Sequence, residues 1–352
     1  MRTTSVIAAG CLAMALGYAG AAAKARRRAY SFRRRTVVIT GGSRGLGLEM
    51  ARAFAAEGAT LALLARDSDS LVRARQELEA RGARVLAVPC DVRKRGQVER
   101  AVRHVVARFG RIDVLINNAG AMLVAPLPHL TFEDFEDAMA LHCFGALAMT
   151  LAVLPHLRRA GGGRIVNIAS IGGKVAVPHM LPYTASKFAL VGLSDGLRAE
   201  LRREGIYVTT VCPGPMRTGS HRNAYFKGRH RREFAWFALA DSLPVLSVDA
   251  RRAAHAIVAA CRRGSARLLL GLPTGAAIAL NELLPGMSAA VAAVANRLLP
   301  GATDADAGAE VRPGHANESP LTRSALTALS RRAAARNNER PVALPGAVSA
   351  VE

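Results

Sequence analysis

Residues 36–47 read TVVITGGSRGLG. The first five are apolar or β-branched with no polar alternation, the pattern of a strand buried on both faces. The next seven crowd four glycines into a turn, and a helix-like segment runs on from Gly47 to Ala56. Strand, tight turn and helix in that order place backbone N–H groups at a helix start, where an anion is held. The loop Gly41, Ser43, Arg44, Gly45, Leu46 and Gly47 is therefore the expected cradle for a pyrophosphate. Its spacing, GxxxGxG, differs from the usual GxGxxG dinucleotide fingerprint.

The pattern repeats outward from this stretch. A strand reads TLALLAR at 60–66, followed by a charged helix at 70–81. A strand reads RVLAVPCD at 84–91, followed by a helix at 97–109, and DVLINNAG at 113–120 reads as the next strand. Strands alternating with helices of this length predict an α/β fold. The sheet is doubly wound and parallel (Rossmann-like), with helices on both faces. The alternation continues to about Gly271, giving one catalytic domain over residues 35–271.

The flanks differ in composition. Residues 5–23 hold 19 residues without a charge, and a basic cluster, KARRR, follows. That length nearly matches a bilayer core, and the charge order keeps the downstream chain on the cytoplasmic side. Residues 1–34 are thus expected to be an apolar anchor helix and basic linker. A cleaved signal peptide, with GAAAK as its small-residue site, is the rival reading. Residues 272–300 are apolar but interrupted by Pro273, Pro285 and Gly286. The charge-free runs beside Glu282 are each 14 residues long, too short to span a bilayer. They suit an interfacial helical hairpin or packing helices. Residues 301–320 read as a linker, 321–336 as a short basic helix, and the last dozen residues as disordered.

The chain has 352 residues and a net charge of +22, which favours nucleic acid, an anionic membrane or a phosphorylated ligand. Residues 1–35 hold eight Lys or Arg and residues 205–232 six more, with no acid in either run. Both basic runs flank apolar segments. Aromatics are only 5 % and no nucleic-acid motif is present, so nucleic acid is excluded as the expected partner. The five cysteines are odd in number and none has CxxC spacing, which fits a reducing compartment and no metal site.

Five motifs in order carry a resemblance. TGGSRGLG is followed by NNAG at 117–120, by Ser170 in IVNIAS, by YTASK with Tyr183 and Lys187, and by CPGPMRT at 212–218. Together they resemble the short-chain dehydrogenase/reductase family over roughly residues 35–271. The resemblance implies a nicotinamide cofactor, with Tyr183, Lys187 and Ser170 as the catalytic set. Asp91 and Val92 would border the adenine, and Asn118, Ala119 and Gly120 the adjoining ribose region. Pro213, Gly214 and Thr218 would close over the nicotinamide, with Thr218 at its carboxamide. It also implies a homo-oligomer, a dimer or tetramer.

The chemistry of these residue types agrees. Tyr183 has an ordinary pKa near 10, too high for fast exchange at neutral pH. Lys187 lies one helical turn on, and its cation is expected to lower that pKa. Ser170 would hold the substrate oxygen. An NAD site places an acid at the end of the second strand. Here Ala65 stands there with Arg66 next, and Arg44 lies in the loop. Two guanidinium groups suit a 2′-phosphate, so NADP(H) is the expected cofactor. Asp67 is the residue that speaks against it. Residues 219–243 interleave basic residues with Tyr225, Phe226, Phe234, Trp236 and Phe237. They read either as an interfacial lid over a membrane-derived substrate or as an ordinary lid packed on the fold. The expected function is NADP(H)-dependent hydride transfer to or from a hydrophobic alcohol or ketone such as a steroid, a retinoid or a long-chain lipid. The alternatives are reduction of a 3-oxoacyl thioester and a catalytically idle scaffold.

One position departs from the family pattern. The family keeps an Asn in its fourth long helix, supporting a kink whose carbonyl holds a relay water. His142, in MALHCFGALAMT at 139–150, stands in its place. It is the fourth candidate catalytic residue, and three roles are open: preserving the kink, joining the relay, or plain packing.

Overall fold

The computed structural model describes residues 30–304 and 308–339. The anchor reading of residues 5–23 and the disorder expected of the last dozen residues lie outside them. Seven strands build the main sheet: β1 (Thr36–Thr40), β2 (Thr60–Ala65), β3 (Arg84–Pro89), β4 (Val114–Asn117), β5 (Gly163–Ile168), β6 (Ile206–Pro213) and β7 (Arg267–Leu270). All are parallel, in the order β7-β6-β5-β4-β1-β2-β3. The strand order reverses beside β1, so β1 and β4 open a crevice at their carboxyl ends.

Both sheet faces are covered, which explains the unbroken apolar run of β1. Helices α1 (Gly45–Ala56), α2 (Ser68–Glu79) and α8 (Ala250–Arg263) share one core through Leu48, Phe54, Leu71 and Ile257. On the other face, α3 (Arg95–Phe109) and α5 (Gly145–Arg159) supply Val102, Val105, Met149, Val153 and Leu157, and α6 (Leu181–Leu201) supplies Leu201. Each such side chain contributes about 1.5–3 kcal/mol when fully buried. The helices start where the sequence offers a cap. The Asp67 carboxylate accepts from the N–H of Asp69 and Ser70 to open α2, and Asp249 does the same for α8. A reciprocal Thr131–Asp134 capping box starts α4 (Phe132–Met139).

Helices α4 and α5 are joined by a π-helical turn, Ala140–Phe144, which contains His142. Among the described residues, Phe132–Arg159 is the one stretch long and apolar enough to cross a membrane. Its buried Met149, Val153 and Leu157 pack under the sheet, whereas Phe132, Phe144 and Leu151 are exposed.

Helix α7 (His230–Ser242) forms the lid. Of the two readings of the lid, the packed one fits three of its aromatics. Phe226, Phe234 and Phe237 are buried in a cluster of their own with Val124, Met180 and Ala238. The lid is held from behind: Glu233, fully buried, accepts from the indole of Trp236 (2.7 Å) and faces His179 Nδ1 (3.0 Å).

Helices α9 (Leu272–Leu283) and α10 (Pro285–Leu298) pack on each other. Ile278 anchors α9 among Leu190, Val191 and Cys212, whereas α10 leaves Met287, Val291, Val294 and Leu298 exposed. The stretch 301–320, expected to be a linker, is partly a structural element. Arg312–Pro313 pairs antiparallel with Tyr225–Phe226 beside the lid. The expected helix at 321–336 is shorter, α11 (Ala328–Arg336). Ahead of it, the Thr322 hydroxyl donates to Ser319 O (3.1 Å) and Thr327 to Thr322 O (2.6 Å). These local bonds favour short turns over helix.

Candidate active site

The carboxyl ends of the strands deliver the site. The glycine loop follows β1, Arg66 follows β2, Asp91 and Val92 follow β3, and Asn118–Gly120 follow β4. Ser170 follows β5, and Pro213–Thr218 follow β6. All the sequence-predicted cofactor and catalytic residues except His142 line one cleft of about 870 Å³. The cleft also takes in Trp236, Phe237 and Asp241 from the lid, and His315 and Glu339 from the C-terminal segment. Trp236 and Phe237 read as lid aromatics in the sequence, whereas sequence reasoning missed Asp241, His315 and Glu339 as site residues. They lie outside the family motifs, and contacts far apart in sequence bring them in.

The glycine loop is held open by backbone contacts that no side chain could share. A Cβ at Gly47 would sit 2.0 Å from Gly41 O. Gly41 and Gly45 have φ of 63° and 57°, a region that L side chains avoid. Asn118 clasps the turn, its Nδ2 donating to Thr40 O (3.0 Å) and Gly41 O (3.1 Å), and its own N–H donates to Thr40 Oγ1 (2.9 Å). Asn118 is thus a positioning residue for the loop, in addition to its expected place near the ribose. A glycine-rich turn running into the N-terminus of a 12-residue helix fits a dinucleotide pyrophosphate.

Around the adenosine end, Arg44 and Arg66 both line the cleft. Asp67, the residue that spoke against NADP(H), has its carboxylate engaged as the cap of α2 (Asp69 N at 3.1 Å, Ser70 N at 3.4 Å). Burial alone would raise its pKa, but those bonds and the charge of Arg44 hold it below the usual range. Asp91 is paired with Arg93 at 2.7 Å, and this pairing keeps its carboxyl low.

Ser170, Tyr183 and Lys187 converge at the end of β5. Ser170 Oγ accepts from Gly172 N (3.0 Å), which leaves its O–H to donate. Burial pushes the Tyr183 phenol up to about 12, against the pull of its hydrogen bond with Ser170, and Asp241 adds to the rise. Whatever Lys187 lends the tyrosinate, burial of the phenol outweighs it. Lys187 Nζ donates to Ile168 O (2.8 Å) and lies 5.6 Å from the centroid of the tyrosine ring. Burial pushes Lys187 itself down to about 7, so its charge is incomplete at neutral pH.

His142 sits behind this set, outside the cleft, in a packed layer with Asn117 and Leu190. It is 2 % exposed, and its ring meets Tyr183 edge-on at 5.3 Å. The Ala121 N–H donates to Nε2 (3.3 Å). The Ser186 hydroxyl donates to Tyr183 O (2.8 Å), so at 2.8 Å it accepts from His142 Nδ1–H. The network fixes the tautomer, and both ring nitrogens are used. Burial and then the nearby Lys187 charge hold the imidazole well below its ordinary value of 6.5. His142 is therefore a neutral clasp tying the π turn to Ala121 and α6. The relay role is set aside because no ring nitrogen is free. The kink expected at this position is present as the π turn.

This assigns a pH signature. Below about 6.5 the unfolded chain protonates His142 while the folded chain refuses, so folding stability falls as pH falls. His142→Asn is expected to flatten that acid limb and to leave the pH profile of turnover unmoved. His142→Ala should cost about 2–4 kcal/mol, by leaving two buried groups unpaired beside a cavity. Denaturant titrations from pH 5 to 8 check both, and a shifted kinetic pKa in the Asn variant would return His142 to the proton path.

Comparison with known proteins agrees with the fold. A family model described as short chain dehydrogenase matches residues 35–227. The chain is 37 % identical over 180 residues to the ketoacyl reductase HetN of Nostoc, covering 51 % of this chain and 63 % of HetN. It is 35 % identical over 260 residues to the oxidoreductase SadH of Mycobacterium tuberculosis, covering 72 % of this chain and 92 % of SadH. Among solved structures, an actinorhodin polyketide ketoreductase bound to NADPH superposes with a TM-score of 0.62 at 32 % identity, covering 68 % of this chain and 97 % of that one. A Mycobacterium paratuberculosis short chain dehydrogenase bound to NAD does so with a TM-score of 0.61 at 28 % identity, covering 68 % and 97 %. With its Rossmann-like parallel sheet and its matched residues 35–227, the chain belongs to the short-chain dehydrogenase family of oxidoreductases.

Proposed function

We propose that the chain is an NADP(H)-dependent oxidoreductase acting on a hydrophobic alcohol or ketone. The observation that carries this reading is the convergence of Ser170, Tyr183 and Lys187 in the same cleft as the glycine loop. A bound nicotinamide would exchange a hydride with the substrate carbon. The Ser170 hydroxyl donates to the substrate oxygen and orients it. Tyr183, a neutral phenol by virtue of its burial, protonates the oxygen as negative charge develops there. Lys187, fixed to Ile168 O, supplies the polar floor beside the tyrosine.

Arg44 and Arg66 in the cleft, with Asp67 engaged as a cap, support the 2′-phosphate preference. The substrate side is walled by Met122, Val177, Met180, Trp236 and Phe237, which suits a large apolar ketone. The names of the similar ketoacyl and polyketide ketoreductases favour the second reading, a 3-oxoacyl thioester. The exposed apolar face of α10 supports docking at the cytoplasmic face of a membrane. Phe132, Phe144 and Leu151, exposed along α4 and α5, support pairing with a second copy.

Purified full-length chain, assayed for NADPH and NADH oxidation against apolar ketones and 3-oxoacyl thioesters, tests this directly. NADPH is expected to win in kcat/KM by about tenfold or more, with Arg66→Ser erasing most of the gap. Preference for NADH would overturn the cofactor reading. Cofactor binding without turnover of any carbonyl would favour the idle scaffold.

A further inference from the structure

Residues 337–339, just past α11, stay on the molecule. They run along the glycine loop and are fastened on both sides of it. Arg52 donates to Arg336 O (2.8 Å) and to Asn337 Oδ1 (3.0 Å). Asn338 Nδ2 donates to Ser43 O (2.9 Å) and Ser70 O (3.0 Å), while Arg73 Nε donates to Asn338 Oδ1 (2.8 Å). Asn338 takes a left-handed φ of 58°, which turns the chain inward. The next residue, Glu339, then enters the cleft and is 5 % exposed.

Two acceptors from this strap occupy the anion end of α1. The Gly45 N–H donates to Asn337 O (2.9 Å). The Glu339 carboxylate lies over Gly45, with Oε1 2.6 Å from where a Gly45 Cβ would stand. Its other oxygen accepts from Asn223 Nδ2 (2.5 Å), and Arg44 Nε is 3.7 Å away. A helix N-terminus, a glycine-rich turn and a guanidinium are the groups that recognise phosphate oxygens. A carboxylate is the closest side-chain likeness of such an oxygen pair.

We propose that Glu339 is a plug for the pyrophosphate subsite, and that the C-terminal strap and the dinucleotide compete for it. The inference rests on the dinucleotide reading given above. Its physical basis is exclusion and charge together. A pyrophosphate laid across Gly45 meets the carboxylate first, and two anions at that distance repel strongly in a buried cleft. Burial pushes the Glu339 carboxyl up to about 7, against the lowering by Arg44, Asn223 and Arg222. The charge of the plug is therefore fuller above neutral pH than below it. Cofactor affinity in the full chain is set partly by this residue, which lies far outside the family's core.

The test is direct binding, independent of turnover. Titration of NADPH into the full-length chain is compared with Glu339→Gln, which keeps the shape and the Asn223 contact but removes the charge. The Gln variant is expected to bind about tenfold tighter or more. Asn338→Ala, which loosens the strap without touching the carboxylate, should move affinity in the same direction. Hydrogen exchange across residues 328–339 should speed up when NADPH saturates the wild-type chain. Equal or weaker binding by both variants, or slower exchange in the strap with NADPH, would overturn the plug and make the strap a clamp that closes with the cofactor. Failure of wild type and both variants to bind either NADPH or NADH would sink the dinucleotide reading and the plug with it. Tight binding unchanged across all three would remove only the plug.

Discussion

Tyr183→Phe is expected to bind NADPH as the parent does and to turn over about 10³-fold more slowly or worse. The substitution removes one hydroxyl and keeps the ring, so its edge-on contact with His142 survives. It also removes the single proton donor that the geometry places beside Ser170. The buried phenol is held neutral, so a retained hydroxyl can act as an acid while a phenyl ring cannot. Ser170 and the cleft walls still position the carbonyl, which accounts for residual activity above water. Stopped-flow measurement of cofactor oxidation, alongside a binding titration, separates the two effects. Turnover within tenfold of wild type would mean that the proton comes from elsewhere. Loss of cofactor binding would mean that Tyr183 is chiefly a cofactor contact.

The second large effect is expected at Gly47→Ala. The added methyl would meet Gly41 O at 2.0 Å and the Asn118 amide at 2.8 Å. Backbone cannot yield there without moving the turn, and the Asn118 clasp to Thr40 O and Gly41 O is the contact that gives way. A loss of about 2–4 kcal/mol in stability is expected, at the upper end for overpacking. Cofactor affinity should fall about 10²-fold, because the loop can no longer present its N–H groups in register. Gly275→Ala in α9 is the matched control. Nothing lies within 4 Å of its Cβ position, so this helix-interior change should be neutral or stabilising by up to about 1 kcal/mol. Denaturant melts and NADPH titrations on the pair check the contrast. Equal behaviour of the two variants would mean that the crowded glycine has no special role.

Much of the molecule was legible without coordinates. The unbroken apolar run of β1 requires cover on both sheet faces, and alternation with helices then leaves little besides a doubly wound parallel sheet. The glycine spacing, NNAG, Ser170 and the Tyr183–Lys187 pair are local patterns. Chemistry that depends on a turn, a strand end or one helical period is written locally, and those residues line one cleft as expected. Local patterns could not give the electrostatics of that cleft. One helical turn between Tyr183 and Lys187 implies attraction, yet the depth of burial decides that the phenol rises and the amine falls.

The lid and the tail show the same limit from the other side. Basic residues interleaved with aromatics in 219–243 read equally well as a membrane face or a packed lid. Only the neighbours Val124 and Met180, distant in sequence, turned Phe226, Phe234 and Phe237 inward. Glu339 carried no signal at all, because its meaning lies in a contact with Gly45, almost three hundred residues earlier. His142 was visible as a departure from pattern, but its role was not. Sequence alone determined the fold, which follows from periodicity, and its motifs pointed to the residues that line the cleft. Tertiary structure alone decided the charge states, the ring-nitrogen assignment and what lies over the cofactor loop, because each depends on which distant groups share a buried volume.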